Sequence, residues 1–304
     1  MRTTKRLRIA RTWAAAVLGL AVAAMAQVKA DTILFATADN GTTNLFGTLD
    51  VTTGQFTQIS TTTPLIGALT AAPGGTLVAA STDTNLYTFG PTGKLSPFGT
   101  VMGPPNGVIP EASGFLGLAS MGSAGFFADS VSMTSSTSPV TTTLFHIAAD
   151  GQSSSVVGVM GTAFGSFNSG NLAFGPDGNL YYNAWDADQV ATLYMVNMKT
   201  GGATEVGSGM KTFDPLALAA VIDGATAVLY GVDTFIATDP TIYTVDTTTG
   251  MATAIGTVSG LPSGYTLDTI APLGAVAVPE PSSIALFIAG ALGAARLARR
   301  RRPS

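Results

Sequence analysis

Residues 31–277 hold 17 Asp and Glu side chains, three lysines (Lys94, Lys199 and Lys211) and no arginine. Carboxylates at that density are suited to two kinds of chemistry. Paired Asp or Glu can serve as acid and base on a glycosidic bond, and Glu111, Asp214 and Asp268 are the candidates for that role. Clustered carboxylates can also hold a hard cation such as Ca²⁺ through oxygen alone. For this second role Asp186 and Asp188 stand out, because they flank Trp185, a ring suited to ligand contact. Other chemistries have no residues to carry them. Without cysteine there are no disulfides, thiolate metal sites or cysteine nucleophiles. His146, the single histidine, sits at a repeat position held elsewhere by Thr88, Met195 and Thr244, and so reads as structural. No Gly-x-Ser-x-Gly elbow occurs, and neither a Ser-His-Asp triad nor a zinc or copper site is expected.

These side chains need a scaffold, and the scaffold is a repeat. Five segments match: NLFGTLDVTTG (44–54), NLYTFGPTG (85–93), TLFHIAADG (143–151), TLYMVNMKTG (192–201) and TIYTVDTTTG (241–250). Each opens on Leu or Ile and an aromatic (Phe46, Tyr87, Phe145, Tyr194, Tyr243) and closes on a turn glycine (Gly54, Gly93, Gly151, Gly201, Gly250). A second short alternating run then leads to Ser60, Gly99, Gly158, Gly207 or Gly256, which makes each segment a β-hairpin. Ahead of the hairpins lie further ones, clearest in NLAFGPDGNLYYNAW (171–185). Four strands per unit at a spacing near 50 residues predict β-propeller blades.

The first unit has only three strands, starting at TILFATA (32–38), and LDTIAPLGA (267–275) supplies the fourth from the other end. The expected fold is therefore all-β, a five-bladed propeller closed by a mixed blade of N- and C-terminal strands. An open β-solenoid or a two-sheet sandwich is the rival, and the leftover terminal strand argues against it. The aromatic series is expected to pack between blades. On such a ring the longer loops share one face with ten carboxylates: Asp39, Asp83, Glu111, Asp129, Asp186, Asp188, Asp214, Asp233, Asp239 and Asp268. Turn-forming Asp is the plain account of them, and a weak Ca²⁺ site at the channel mouth is the functional one. The body's net charge of −14, three lysines against 17 carboxylates, argues against nucleic acid and anionic lipid as partners.

The two ends read differently from the body. Residues 1–11 are basic, WAAAVLGLAVAAMA (13–26) is apolar, and small residues follow at Ala24-Met25-Ala26 and Val28-Lys29-Ala30. That is the layout of a secretory signal peptide over residues 1–30, with signal peptidase cleaving after Ala26 or Ala30. At the other end Val278, Pro279, Glu280 and Pro281 precede an apolar stretch to Ala298 and the cluster Arg299, Arg300, Arg301 and Arg302. A helix over 282–298 would reach ~24 Å, a marginal transmembrane span against a core of ~30 Å. The arginines would stay on the cytoplasmic side.

Residues 278–304 resemble the PEP-CTERM sorting signal, which joins a Pro-Glu-Pro motif, a short transmembrane helix and an Arg-rich terminus. The resemblance implies a Gram-negative bacterium, recognition by a membrane exosortase, loss of the tail near Pro281 and an association with exopolysaccharide or biofilm. It is silent on the body, residues 31–277. For the body the leading expectation is a non-catalytic surface or matrix module, binding or structural, with a polysaccharide or other surface ligand. The alternative is a glycan-cleaving propeller enzyme using channel carboxylates.

Overall fold

The structure, a computed structural model, describes residues 32–81, 85–100, 115–132, 141–161, 171–186, 188, 190–207, 210, 212, 214–223, 226–234 and 239–273. Both end segments and Glu111 lie outside them.

Among the described residues, twenty strands form five four-stranded antiparallel sheets. The first joins β20 (Thr266–Pro272), β1 (Ile33–Asp39), β2 (Asn44–Asp50) and β3 (Phe56–Thr62). The second runs β4 (Ile66–Ala71), β5 (Leu77–Ser81), β6 (Asn85–Phe89) and β7 (Leu95–Thr100). The third holds β8 (Phe115–Ser120), β9 (Phe126–Ser132), β10 (Thr141–Ile147) and β11 (Ser154–Gly161). The fourth is β12 (Asn171–Phe174), β13 (Leu180–Trp185), β14 (Ala191–Val196) and β15 (Ala203–Glu205). The fifth is β16 (Leu216–Asp223), β17 (Thr226–Asp233), β18 (Thr241–Val245) and β19 (Ala252–Thr257). The innermost strands neighbour one another in the order β20, β4, β8, β12, β16 and back to β20. A closed five-bladed propeller results, with the predicted mixed blade.

Local chemistry shapes each blade. In the outer hairpins of the first, fourth and fifth blades an Asp or Asn opens the turn and a glycine closes it. Asp50, Asn197 and Asp246 each accept, through Oδ1, the backbone N–H two residues on, at 2.7 to 2.9 Å. The closing glycines Gly54, Gly201 and Gly250 then return an N–H to the opening residue's carbonyl at 2.8 Å. Such side chains mimic a backbone turn. The closing glycine has a second task. Gly201 sits at φ +78°, and a Cβ there would meet the backbone of Gly158 on the preceding blade's outermost strand. A Cβ on Gly158 would in turn run into the Thr200 carbonyl. A Cβ on Gly99 would likewise meet the backbone of Gly151 on the next blade, one on Gly207 the Thr249 carbonyl, and one on Gly93 the Ser60 side chain. The residue six or seven positions past the closing glycine in the first four repeats (Ser60, Gly99, Gly158 and Gly207) thus lies against the closing turn of the next blade.

Burial follows the same geometry, because the apolar side chains gather into five cores, each shared by two adjacent blades. Phe145, Tyr194 and Tyr243 join these cores as expected. Phe46 also packs between blades, in the core shared by the first and second, but from a different register position. Register places it opposite Thr37, the position that Leu86 takes opposite Ala80, so Gly47 occupies the aromatic slot of the first blade. A side chain at Gly47 would strike the ring of Phe56, which fills that space from β3. Phe46 points to the second blade and stacks on Phe89 at 4.0 Å.

Two outcomes are expected. A chain ending at Gly260 loses the buried Leu267 and Ile270, about 3–6 kcal/mol of apolar burial against a total stability of about 5–15 kcal/mol. It should be insoluble or molten, whereas one ending at Val278 should unfold cooperatively; equal melting curves would contradict ring closure. Gly201→Ala should destabilise the fold more than Gly74→Ala, which shares a positive φ but has open space around it. Chemical denaturation of the two variants measures the difference, and equal losses would refute the blade-to-blade contact.

Candidate functional site

A small cavity lies between the innermost strands. It measures about 30 Å³ and is walled by residues such as Leu69, Leu118, Phe174, Ala219 and Ile270, with Thr70 and Ser120 adding hydroxyls. The Thr70 hydroxyl accepts the Ser120 N–H at 3.1 Å, tying two blades together there. Space of that size holds one or two waters, and no carboxylate lines it.

The carboxylates lie at the rim where the innermost strands begin. Asp214 precedes β16 and interacts with Asp233, the last residue of β17. Both are buried, 7% and 2% exposed. Asp233 Oδ2 accepts the Thr241 N–H at 2.9 Å and lies 3.5 Å from the Tyr243 hydroxyl, which donates to it. Burial raises both carboxyls above the usual range; Asp233 adds to the rise at Asp214, while the Thr241 and Tyr243 hydrogen bonds hold Asp233 back. Asp268 occupies the bulge where β20 shifts register against β1. Desolvation, with the charge of Asp39 beside it, pushes Asp268 up to about 8. Asp214 and Asp268 are therefore each paired within a blade, one with Asp233 and the other with Asp39.

Asp129 is the residue whose environment was least visible beforehand. It is fully buried, and neither carboxylate oxygen makes a well-formed hydrogen bond, although the backbone N–H groups of Gly117 and of Asp129 itself lie close enough to oppose part of the burial effect. Its register partner is Gly117, and the carboxylate fills the space that a side chain there would take, close to the backbone of Asn171 and Leu172 on the next blade. Burial raises its pKa well above the usual value. An unpaired buried charge costs several kcal/mol, so the group folds as the neutral acid. One blade on, Asn183 takes the matching position; its Oδ1 accepts the Leu216 N–H across the interface and its Nδ2 donates to Thr192 O at 2.9 Å.

The Asp186 loop is organised by its own carboxylate. Asp186 Oδ1 accepts the N–H groups of Asp188 and Val190, both at 2.9 Å, and Oδ2 accepts the Thr192 hydroxyl at 3.3 Å. Trp185 is half-buried at the end of β13, and Asp188 is exposed. No group of three or more His, Cys, Asp or Glu side chains suited to a metal ion occurs among the described residues. The His146 ring has Nε2 3.0 Å from the Ala124 carbonyl and meets Phe127 edge-on at 5.6 Å.

These shifts set a pH dependence. A carboxyl raised in the folded state binds a proton that the unfolded chain gives up near pH 4, so stability falls as pH rises from there toward the folded pKa. For Asp268 the window runs from about 4 to about 8. Asp50 and Asp246 are lowered by their turn hydrogen bonds and act only below that window. The thermal midpoint should therefore rise by several degrees from pH 8 to pH 5, and the rise should shrink in Asp268→Asn and Asp129→Asn. Calorimetry checks this; a midpoint that is flat or falls over that range would contradict it.

Comparison with known proteins adds the following. No curated protein matches the sequence. Among solved structures, the chain is similar to a putative oxidoreductase (glucose dehydrogenase) from Thermus thermophilus, at 17% identity and a TM-score of 0.42, covering 68% of each chain. TolB from Acinetobacter baumannii shows 12% identity and a TM-score of 0.42 over 77% of this chain and 54% of its own. GH43B of the Bacteroides ovatus xyloglucan PUL shows 14% identity and a TM-score of 0.44 over 66% of this chain and 42% of its own. The chain thus spans about half the length of the last two, and likeness at this level carries nothing about activity. Residues 277–302 match the family described as the PEP-CTERM protein-sorting motif. The motif implies export, processing by an exosortase and a membrane-anchored sorting tail that is cleaved for surface display. This chain is a five-bladed β-propeller that carries a PEP-CTERM sorting motif.

Proposed function

We propose that the propeller, residues 31–277, is a non-catalytic binding or structural module displayed on the cell surface or released into the extracellular matrix of a Gram-negative bacterium. The sorting motif carries this reading. On the proposal, residues 1–30 are a signal peptide removed after Ala26 or Ala30, and 278–304 form the Pro-Glu-Pro motif, transmembrane helix and arginine anchor. Exosortase cleaves near Pro281, and the body joins an exopolysaccharide-rich matrix or biofilm. Among the described residues the cavity between the innermost strands is small and lined by no carboxylate, which favours the non-catalytic reading.

One observation favours the alternative, a glycan-cleaving enzyme. Asp214 and Asp233 form a buried pair with raised proton affinity, and such pairs can divide acid and base roles. Reducing-end release from a polysaccharide, lost in both Asp214→Asn and Asp233→Asn, would establish it.

The proposal is tested on protein isolated from its host. Intact mass should give an N-terminus at Gln27 or Asp31 and a C-terminus near Pro281, and antibody should label unbroken cells or the matrix around them. A mature pool that keeps Met1 or the Arg299–Arg302 tail would overturn it.

A further inference from the structure

The repeat breaks in the second blade, and the break leaves a cleft. In the third, fourth and fifth blades the strand aromatics enter the cores between blades, and in the first Phe56 fills that place. Tyr87 is a member of none of the five cores. It lines an open cleft of about 740 Å³ at the outer junction of the second and third blades, together with Asn85, Leu86, Pro97, Phe98 and Gln152.

Each of these residues is placed by the fold. Register sets Tyr87 opposite Pro97 and Leu86 opposite Gly99, so Phe98 is the extra residue of a bulge. Phe98 is half-buried, and its ring meets Phe126 edge-on at 6.1 Å and 88°, which fixes it from behind. Gln152 is exposed on the turn of the third blade and reaches across the junction. Its Nε2 donates to the Phe98 carbonyl at 3.1 Å and to the Asp150 carbonyl at 3.3 Å, so its Oε1 is the atom left to accept. Asn85, at the start of β6, brings a second amide.

The chemistry of this lining selects its ligand. Among its described residues it holds no carboxylate, lysine or arginine to serve an ionic ligand, and the body's net charge repels anions. Another β-strand is poorly served, because the exposed Pro97 has no N–H and the bulge interrupts the edge. Rigid aromatic and proline rings offer apolar faces, while amide groups donate and accept hydrogen bonds within the same small space. A sugar matches both, with C–H faces for the rings and hydroxyls for the amides, and the volume falls in the range of ligand pockets.

We propose that this cleft binds a neutral oligosaccharide, with Tyr87 and Phe98 contacting sugar faces and Gln152 reading hydroxyls. The proposal rests on the reading of the body as a binding module. It is tested by affinity electrophoresis of the full chain in mild detergent, through gels containing hydroxyethylcellulose, dextran, galactomannan or the anionic alginate. At least one neutral polymer should retard the protein. Tyr87→Ala and Gln152→Ala should each weaken that retardation at least tenfold, and Trp185→Ala should leave it unchanged. Gln152 lies on the surface, so its variant should keep the parent melting curve and report binding alone. Retardation that survives both substitutions, follows Trp185 or occurs only with alginate would overturn the proposal. So would the lack of retardation by all three neutral polymers. None of these outcomes bears on end processing or surface labelling, so this proposal and the display reading fail separately.

Discussion

The pairing of β20 with β1 is the constraint on which the other blades depend. A propeller has no hydrophobic centre; its apolar side chains lie in five cores between blades, and each needs both neighbours in place. Leaving one interface open would expose two blade faces and a strand edge together. The chain closes its ring twice over. Leu34 to Asp39 pair with β20 at the axis, and at the periphery Gln55 bridges Ser259 in parallel, with the Phe56 and Ser259 N–H groups donating at 2.8 Å. Residues more than 200 positions apart thus complete one sheet and one interface.

The polar groups are arranged around that closure. Exposed Asp and Asn side chains spend their oxygens on turns, as at Asp50, Asp186 and Asp246. Buried or half-buried ones sit at the rim of the innermost strands, where an interface leaves room: Asp129 over Gly117, Asp233 beside Asp214, and the half-buried Asp268 in its bulge. With no basic side chain paired with them among the described residues, these carboxyls have raised proton affinity instead of forming ion pairs. Between the innermost strands the described lining of the cavity is mostly leucine, alanine and isoleucine, with room for a water or two.

Much of this was legible in the sequence, because the repeat carries its own punctuation. The turn glycines and the orphan strand at 267–275 predicted five blades and their mixed closure. The loop carboxylates pointed to Asp214 and Asp268, though not to their partners, since pairing depends on register across a blade. Other features resist such reading. Phe46 looks like the first member of the aromatic series, but one residue of register moves a strand's side chain to the opposite face, and only the sheet shows that Gly47 and Phe56 share that place. Asp129 resembles any loop aspartate until the bare backbone of Gly117 and the next blade enclose it. Tyr87 matches its repeat fully, and what sets it apart is the lining contributed by Gln152 from another blade.

The central claim is that the N- and C-terminal strands form one cooperative blade. Native-state hydrogen exchange followed by mass spectrometry reads this directly, since strands that open only with the whole domain share its free energy of opening. Peptides covering 33–39 and 266–272 should exchange at the same global rate as those covering the inner strands 66–71 and 216–223. Exchange of 266–272 orders of magnitude faster than those strands would show that β20 detaches independently, and would contradict the closed ring.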